Sequence, residues 1–242
     1  MTAIQNRRER LRAEADAEIR QAARRLLLAE GPTAVTLSAI AREMGMTAPG
    51  LYRYYGSLGA VLDALRADLY GELTHHLEEA RDVLSPEDAL ARLMAVSRAF
   101  RLWSVSHPAE FGLTFGAPPP GLSLRSSLGK GASALEAAGG RFGAVFESLF
   151  AQLWREHGFP IRPDNDIRPA LRSQLHEYAC ALGGTLPLGA IEVFLSCWIT
   201  LYGTVAMEVF GHLGFALTDA EAMFESQLEM LAGRLQLRVP GE

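Results

Sequence analysis

The sequence predicts an all-α fold, an N-terminal three-helix helix-turn-helix module joined to a larger helical body. Three observations predict it. Apolar residues recur at helical spacing along nearly the whole chain, no period-2 run stands out as a strand, and glycine, proline and capping residues punctuate the helical runs. No internal repeat is evident.

Each element follows in order. Across 12–30, Ala15, Ile19, Ala22 and Leu26 fall at helical spacing, and Gly31-Pro32 ends the run. A short helical segment, 37–44, closes at Gly45. Thr47 caps a third, running to about Tyr55, with Pro49 in its first turn, where a missing N–H costs little. Ser57 then caps a long helix carrying Leu58, Val61, Leu62, Leu65, Leu69 and Leu73. After Ser85-Pro86 a further helix aligns Leu93, Val96, Phe100 and Trp103 and stops near His107-Pro108. Residues 117–133, rich in Pro, Gly and Ser, read as a long mobile loop. Residues 141–156 return to helix through Phe142, Val145, Phe146, Leu149, Phe150 and Leu153, 160–169 reads as a turn, and 170–182 as helix. Two strong helices finish the chain. The first, 187–213, is apolar nearly all round, with only Glu192 and Glu208 charged. The second, 219–237, sets Phe224, Leu228, Leu231 and Leu235 opposite Glu221, Glu225 and Glu229.

A chain of 242 residues, 49% apolar and 21% charged, buries a sizeable core without disulfide or metal staples and is too apolar for disorder. Its net charge of −5 argues against a nucleic-acid partner only as an average. Residues 1–56 hold nine arginines against six acids, net +3, and residues 57–242 hold 14 basic against 22 acidic groups, net −8. A basic module on an acidic body can hold DNA while the body stays clear of it. The Arg-rich start shows no apolar signal core. The longest uncharged apolar stretch, 193–207, is shorter than the ~20 residues of a spanning helix. Two cysteines, Cys180 and Cys197, build no disulfide framework. A cytoplasmic protein without membrane association is expected.

The informative block is Thr36-Leu-Ser-Ala-Ile-Ala-Arg-Glu-Met-Gly-Met-Thr-Ala-Pro-Gly-Leu-Tyr-Arg-Tyr-Tyr55. It reads as two short helices joined at Gly45-Met46, the arrangement that lets a second helix enter the major groove. Ile40, Ala41, Met44 and Leu51 form the small core between them, and Gly45 takes the left-handed turn. The outward positions are hydroxyls, aromatics and an arginine. Thr36 and Thr47 cap helices and turn N–H groups toward phosphates, while Tyr52, Arg53 and Tyr54 add phosphate donors or base-edge contacts. Tyr55 is assigned to the core.

On these residues the chain resembles the DNA-binding domain of the TetR family of transcriptional regulators, over about residues 15–65. The resemblance implies a homodimer that binds a palindromic, double-stranded operator and leaves it when a small molecule fills the C-terminal domain. Carried over by position, it makes Thr36, Thr47, Tyr52 and Tyr54 phosphate or backbone contacts, and it sets Ala48, Pro49, Tyr52 and Arg53 near base edges. The family usually carries a lysine shortly after the recognition helix, and Leu58-Gly59 stands in its place here. The Arg7, Arg8, Arg10 and Arg12 arm is an alternative anchor in the minor groove or on phosphates. The expected division is a DNA-binding domain at 1–57 and an effector-binding and dimerisation domain at 58–242.

In the body, aromatic residues crowd between 100 and 210 and fit an apolar cavity. The candidate effector residues are Phe100, Trp103, His107, Phe111, Phe146, Phe150, His176 and Trp198, with Arg98 a further polar candidate, and the expected effector is apolar or aromatic. No His-Glu-x-x-His, Gly-x-Ser-x-Gly or phosphate-cradling glycine loop occurs, and Gly129-Lys130-Gly131 lacks the rest of a Walker motif. His176, Cys180 and Cys197 are the nearest thing to a metal set, but a buried thiol and a hydrogen-bonded histidine account for them. No catalytic residue, metal or cofactor is expected. Pairing 187–213 and 219–237 with their copies makes a four-helix dimer interface. Two alternatives stay open: a regulator working without an effector or as an activator, and a helical enzyme with no recognised motif.

Overall fold

The computed structural model describes residues 3–116, 132–181, 184 and 186–235, with the backbone alone for 3–6 and 181. Among these residues every regular element is helical. The α-helices are α1 (Ala3–Glu30), α2 (Leu37–Glu43), α3 (Ala48–Leu51), α4 (Leu58–Asp82), α5 (Ala89–Ser106), α6 (Pro108–Phe115), α7 (Ala134–Glu156), α8 (Pro169–Ala181), α9 (Leu188–Val209) and α10 (Glu221–Arg234).

Several boundaries differ from the sequence expectation, each for a local reason. Helix α1 begins at Ala3 rather than near residue 12: nothing in the polar start breaks a helix, and Arg10 pairs with Glu14 one turn on at 3.5 Å. Helix α6 was not foreseen. His107 breaks α5, but Pro108 opens the next helix at a position where its missing N–H is harmless. Helix α7 starts seven residues before the expected 141, because Ser133 and Glu136 form a reciprocal capping box. Helix α9 stops at Val209 rather than 213. Gly211, at φ 71°, donates to the Glu208 carbonyl, and His212 donates to that of Met207, closing the helix. The expected loop at 117–133 lies outside the described residues except for 132–133, as do residues 236–237 of the last expected helix.

One continuous apolar core links every helix but α8, whose Leu175 and Ala179 pack with Ile167 and Ile191 in a smaller cluster. Helix α4 is its spine, burying Val61, Leu65, Leu69, Leu73 and Leu77 at four-residue steps and packing against α1, α5 and α7. Around Phe100, which has no exposed surface, the rings of Phe111, Phe115, Phe142, Phe146 and Trp198 lie with centroids 5.7–6.3 Å away. Helix α9 is more apolar than its covering within the chain explains. By length and composition it could cross a membrane, and only 28% of its most apolar window is buried within the chain. Ile199, Met207 and, just past its end, Phe210 stand exposed.

Candidate functional site

The N-terminal module is built on α1, α2 and α3. Thr36 precedes α2 and its Oγ1 accepts from the Ala39 N–H at 3.1 Å; Thr47 precedes α3 and accepts from the Gly50 N–H at 3.3 Å. Each hydroxyl keeps its own O–H to donate, and both threonines are exposed. Between the helices Gly45, at φ 64°, donates to the Arg42 carbonyl at 3.1 Å while Met46 donates to that of Ala41 at 2.8 Å. This doubly bonded stop turns the chain sharply enough to pack α3 on α2 over buried Ile40, Ala41 and Leu51.

Helix α3 is shorter than the expected 47–55 run. Beyond Leu51 the chain continues as a tightened turn: Arg53 donates to the Gly50 carbonyl at 3.3 Å and Tyr54 to that of Leu51 at 2.9 Å. That turn aims residues differently. Tyr52 is 56% exposed and Arg53 is exposed, whereas Tyr54 is half-buried against the core and Tyr55 is buried. Pro49 is exposed at the start of α3, and Ala48 is half-buried. Leu58 packs on the core at the first position of α4.

Four of the module's arginines form two contrasting pairs. Arg42 and Arg53 are exposed with no carboxylate partner among the described residues. Arg20 and Arg24 face inward. Arg20 is bound to Asp16, to Asp68 at 2.5 Å and to the Tyr55 hydroxyl at 3.3 Å. Burial pushes the Tyr55 phenol above its ordinary range, so it stays protonated. Arg24 donates to Glu72 of α4 at 2.8 Å and to Glu110 of α6 at 3.2 Å, and Glu110 is 2% exposed. These links between module and body were not foreseen. Their signal was available: Arg20 and Arg24 are one turn apart, as are Asp68 and Glu72, so two matched pairs can form between helices advancing together.

The eight candidate effector residues do not converge on one place. Phe146, Phe150 and Trp198 line an apolar cavity between α5, α7, α9 and α10. Its volume is about 50 Å³, well under the roughly 150 Å³ that admits benzene. Trp103 and His107 instead line a cleft of about 460 Å³ between α4 and α5. Phe100 and Phe111 are fully buried in the aromatic core, and His176 is exposed on α8, 3.7 Å from the Cys180 sulfur. Arg98 is held by Glu225 of α10 through three contacts of 2.6–3.1 Å. Among the described residues no group of three or more His, Cys, Asp or Glu side chains is placed to hold a metal ion.

Two family models match the chain. One, described as bacterial regulatory proteins of the tetR family, covers residues 19–65, and the other, tetracyclin repressor-like C-terminal domain, covers 93–231. The HTH-type transcriptional regulators Rv1816 of Mycobacterium tuberculosis and Mb1846 of Mycobacterium bovis are each 30% identical over 233 residues, 95% of this chain and of theirs. Among solved structures, one named as regulatory protein SCO4313 has a TM-score of 0.68 at 26% identity, covering 93% of this chain and 98% of its own. Another, of a possible TetR family transcriptional regulator from Streptomyces coelicolor A3(2), has a TM-score of 0.50 at 21% identity, covering 91% and 98%, a likeness of fold.

Proposed function

Because the chain belongs to the TetR family, and so is a DNA-binding transcriptional regulator, we propose that it works as a homodimeric repressor, released from a palindromic operator when a small molecule binds the body. It acts in the cytoplasm, where its DNA is, and performs no catalysis. The head is residues 1–57 and the body 58–242.

The observation that carries this reading is the exposed face around α3. Thr36, Thr47, Pro49, Tyr52 and Arg53 present hydroxyl donors, a helix start and a guanidinium that no carboxylate among the described residues neutralises. Ala48 and Tyr54 complete the set as half-buried supports of that face. The seam between protomers is α9 with α10. Ser196, Thr200 and Gly203 make a stripe of small residues on α9, and two hydroxyls bond backward into the helix, Thr200 to the Ser196 carbonyl and Thr204 to that of Thr200. A partner helix could therefore approach closely without stranding the Thr200 and Thr204 hydroxyls, and Ile199, Met207, Met223 and Met230 would be covered.

Footprinting on the DNA upstream of its own gene tests the function. Protection of a palindrome is expected, and Tyr52→Ala should weaken operator binding by roughly 1–3 kcal/mol if the ring meets bases. Binding unchanged by that substitution removes Tyr52 from the interface. A chain that sediments as a stable monomer at micromolar concentration overturns the dimeric reading.

A further inference from the structure

The cleft between α4 and α5 carries chemistry that the fold does not consume. Its walls include Glu72, His75, His76 and Glu79 from α4, and Trp103 and His107 from the end of α5. Trp103 is 4% exposed, yet among the described residues its indole N–H has no hydrogen-bond partner, and neither has the buried Nε2 of His76. A buried polar atom left open costs about 1–3 kcal/mol, so two on one cleft wall call for an occupant. His107 stacks on Trp103 with ring centroids 5.0 Å apart, and its Nδ1 lies 2.9 Å from the Trp103 carbonyl. A carbonyl only accepts, so Nδ1 carries a proton and Nε2 of the neutral ring is left as an acceptor.

We propose that this cleft binds a small neutral organic molecule carrying a carbonyl or hydroxyl oxygen, and that Arg24 reads its occupancy. The oxygen accepts from the Trp103 N–H. The carboxylates set the charge of the ligand: Glu72 and Glu79 repel an anion, and each already has a basic partner, Arg24 at 2.8 Å and His75 at 3.3 Å. An ammonium group brings donors alone and leaves the Trp103 N–H unanswered. A volume of about 460 Å³ suits a fragment of one or two rings. The connection to the head is short. Glu72 stands on the cleft wall, and His107 immediately precedes α6, whose Glu110 grips the same Arg24 guanidinium. A molecule that moves either wall changes how α1 is held. The inference rests on the reading of the chain as ligand-responsive and names the site and chemistry of that response.

The test uses the full-length protein and 4-hydroxybenzamide as probe, with 4-hydroxybenzoate and 4-hydroxybenzylamine as anionic and cationic counterparts of similar size. The protein has three tryptophans, Trp103, Trp154 and Trp198, so its indole N–H signals are few enough to follow by NMR. Trp103→Phe identifies the Trp103 signal, and the two remaining signals report whether that variant is folded. The Trp103 signal should move downfield with the neutral probe, affinity should fall roughly tenfold in Trp103→Phe, and the probe should weaken operator binding. Should Trp103→Phe not fold, His107→Phe keeps the stacked ring, removes the acceptor and should also weaken binding. Movement of the Trp198 signal alone places ligand uptake in the apolar cavity, which overturns the proposal and leaves the ligand-responsive reading intact. An unmoved Trp103 signal up to the solubility of the probe overturns it, as does tighter binding of either charged counterpart. Binding at Trp103 with operator affinity unchanged refutes the coupling through Arg24.

Discussion

Replacing Arg24 by Met tests what holds the DNA-binding head on the body. The guanidinium donates to Glu110 at 3.2 Å and to the two oxygens of Glu72 at 2.8 and 3.3 Å. These partners are not equivalent. The Glu72 side chain is 45% exposed, so that pair is worth no more than about 1 kcal/mol. Glu110 is 2% exposed, and its Oε2 has no hydrogen-bond partner among the described residues, which makes Arg24 its main compensation. Stripping a buried charge of its partner costs about 3–5 kcal/mol. Arg24 is itself 18% exposed, so water can enter once the guanidinium is gone, and the low end, about 3 kcal/mol, is expected for Arg24→Met. Glu110→Gln keeps an acceptor for the Nε–H and leaves Arg24 on Glu72, so it should cost about 1 kcal/mol. The double variant has no stranded charge and should fall short of the sum by about 1–3 kcal/mol. Urea unfolding at fixed protein concentration measures all four proteins, read as midpoint shifts at constant slope. Costs that add within about 0.5 kcal/mol, or an Arg24→Met cost below about 1 kcal/mol, would refute the claim that this guanidinium neutralises Glu110.

Three further outcomes follow from single positions. Gly45→Ala should destabilise the chain by about 1 kcal/mol, and Gly45→Asn by less, because the left-handed turn alone resists a side chain and no atom lies within 4 Å of an added Cβ; equal costs from both would point to packing instead. Thiol labelling at neutral pH should modify one cysteine quickly, exposed Cys180, and leave Cys197 slow until the protein unfolds, because burial pushes the Cys197 thiol up to about 11; peptide mapping that finds Cys197 labelled first sinks this. Burial also raises the Glu147 carboxyl above its ordinary 4.5, against the opposing hydrogen bond from Tyr178. The native state then holds the proton longer than the unfolded chain, so this stability is present below pH 4.5 and lost as pH rises through the native value. Glu147→Gln, which still accepts from Tyr178, should remove that slope, and a wild-type-minus-variant difference that stays flat from acid to neutral pH would count against it.

The fold was legible where periodicity and caps agree, and less so where a residue has two uses. The Ser57 cap and the four-residue rhythm of α4 leave no competing reading, and the helix appears as expected. Pro108 reads as a stop because proline ends helices; it also starts them, and periodicity over eight residues is too short to choose. The effector residues show a different limit. Spacing locates an aromatic on the inward face of its helix, but cannot say whether neighbouring rings leave a gap. Phe100 and Phe111 meet other rings on all sides, while Trp103, on the same helix as Phe100, ends at a cleft with an unanswered N–H. That distinction depends on packing between helices distant in sequence, which one-dimensional spacing does not carry.

Charge taught the most by being partly misleading. The +3 balance of residues 1–56 marks a DNA-facing module only if its arginines face out. Arg20 and Arg24 do not; they reach to Asp68, Glu72 and Glu110, all of them in the acidic remainder. The two halves of the charge pattern are therefore complementary across the very boundary they define. Helix α4 crosses that boundary too, and one apolar core continues from Ile19 to Phe224. The charge balance changes sign near residue 57, yet the head has no separate core with which to move freely. A ligand that shifts α4 or α6 by a fraction of a helical turn must then carry α1 with it or break a buried ion pair. A differential affinity of a few kcal/mol for the shifted arrangement is enough for that.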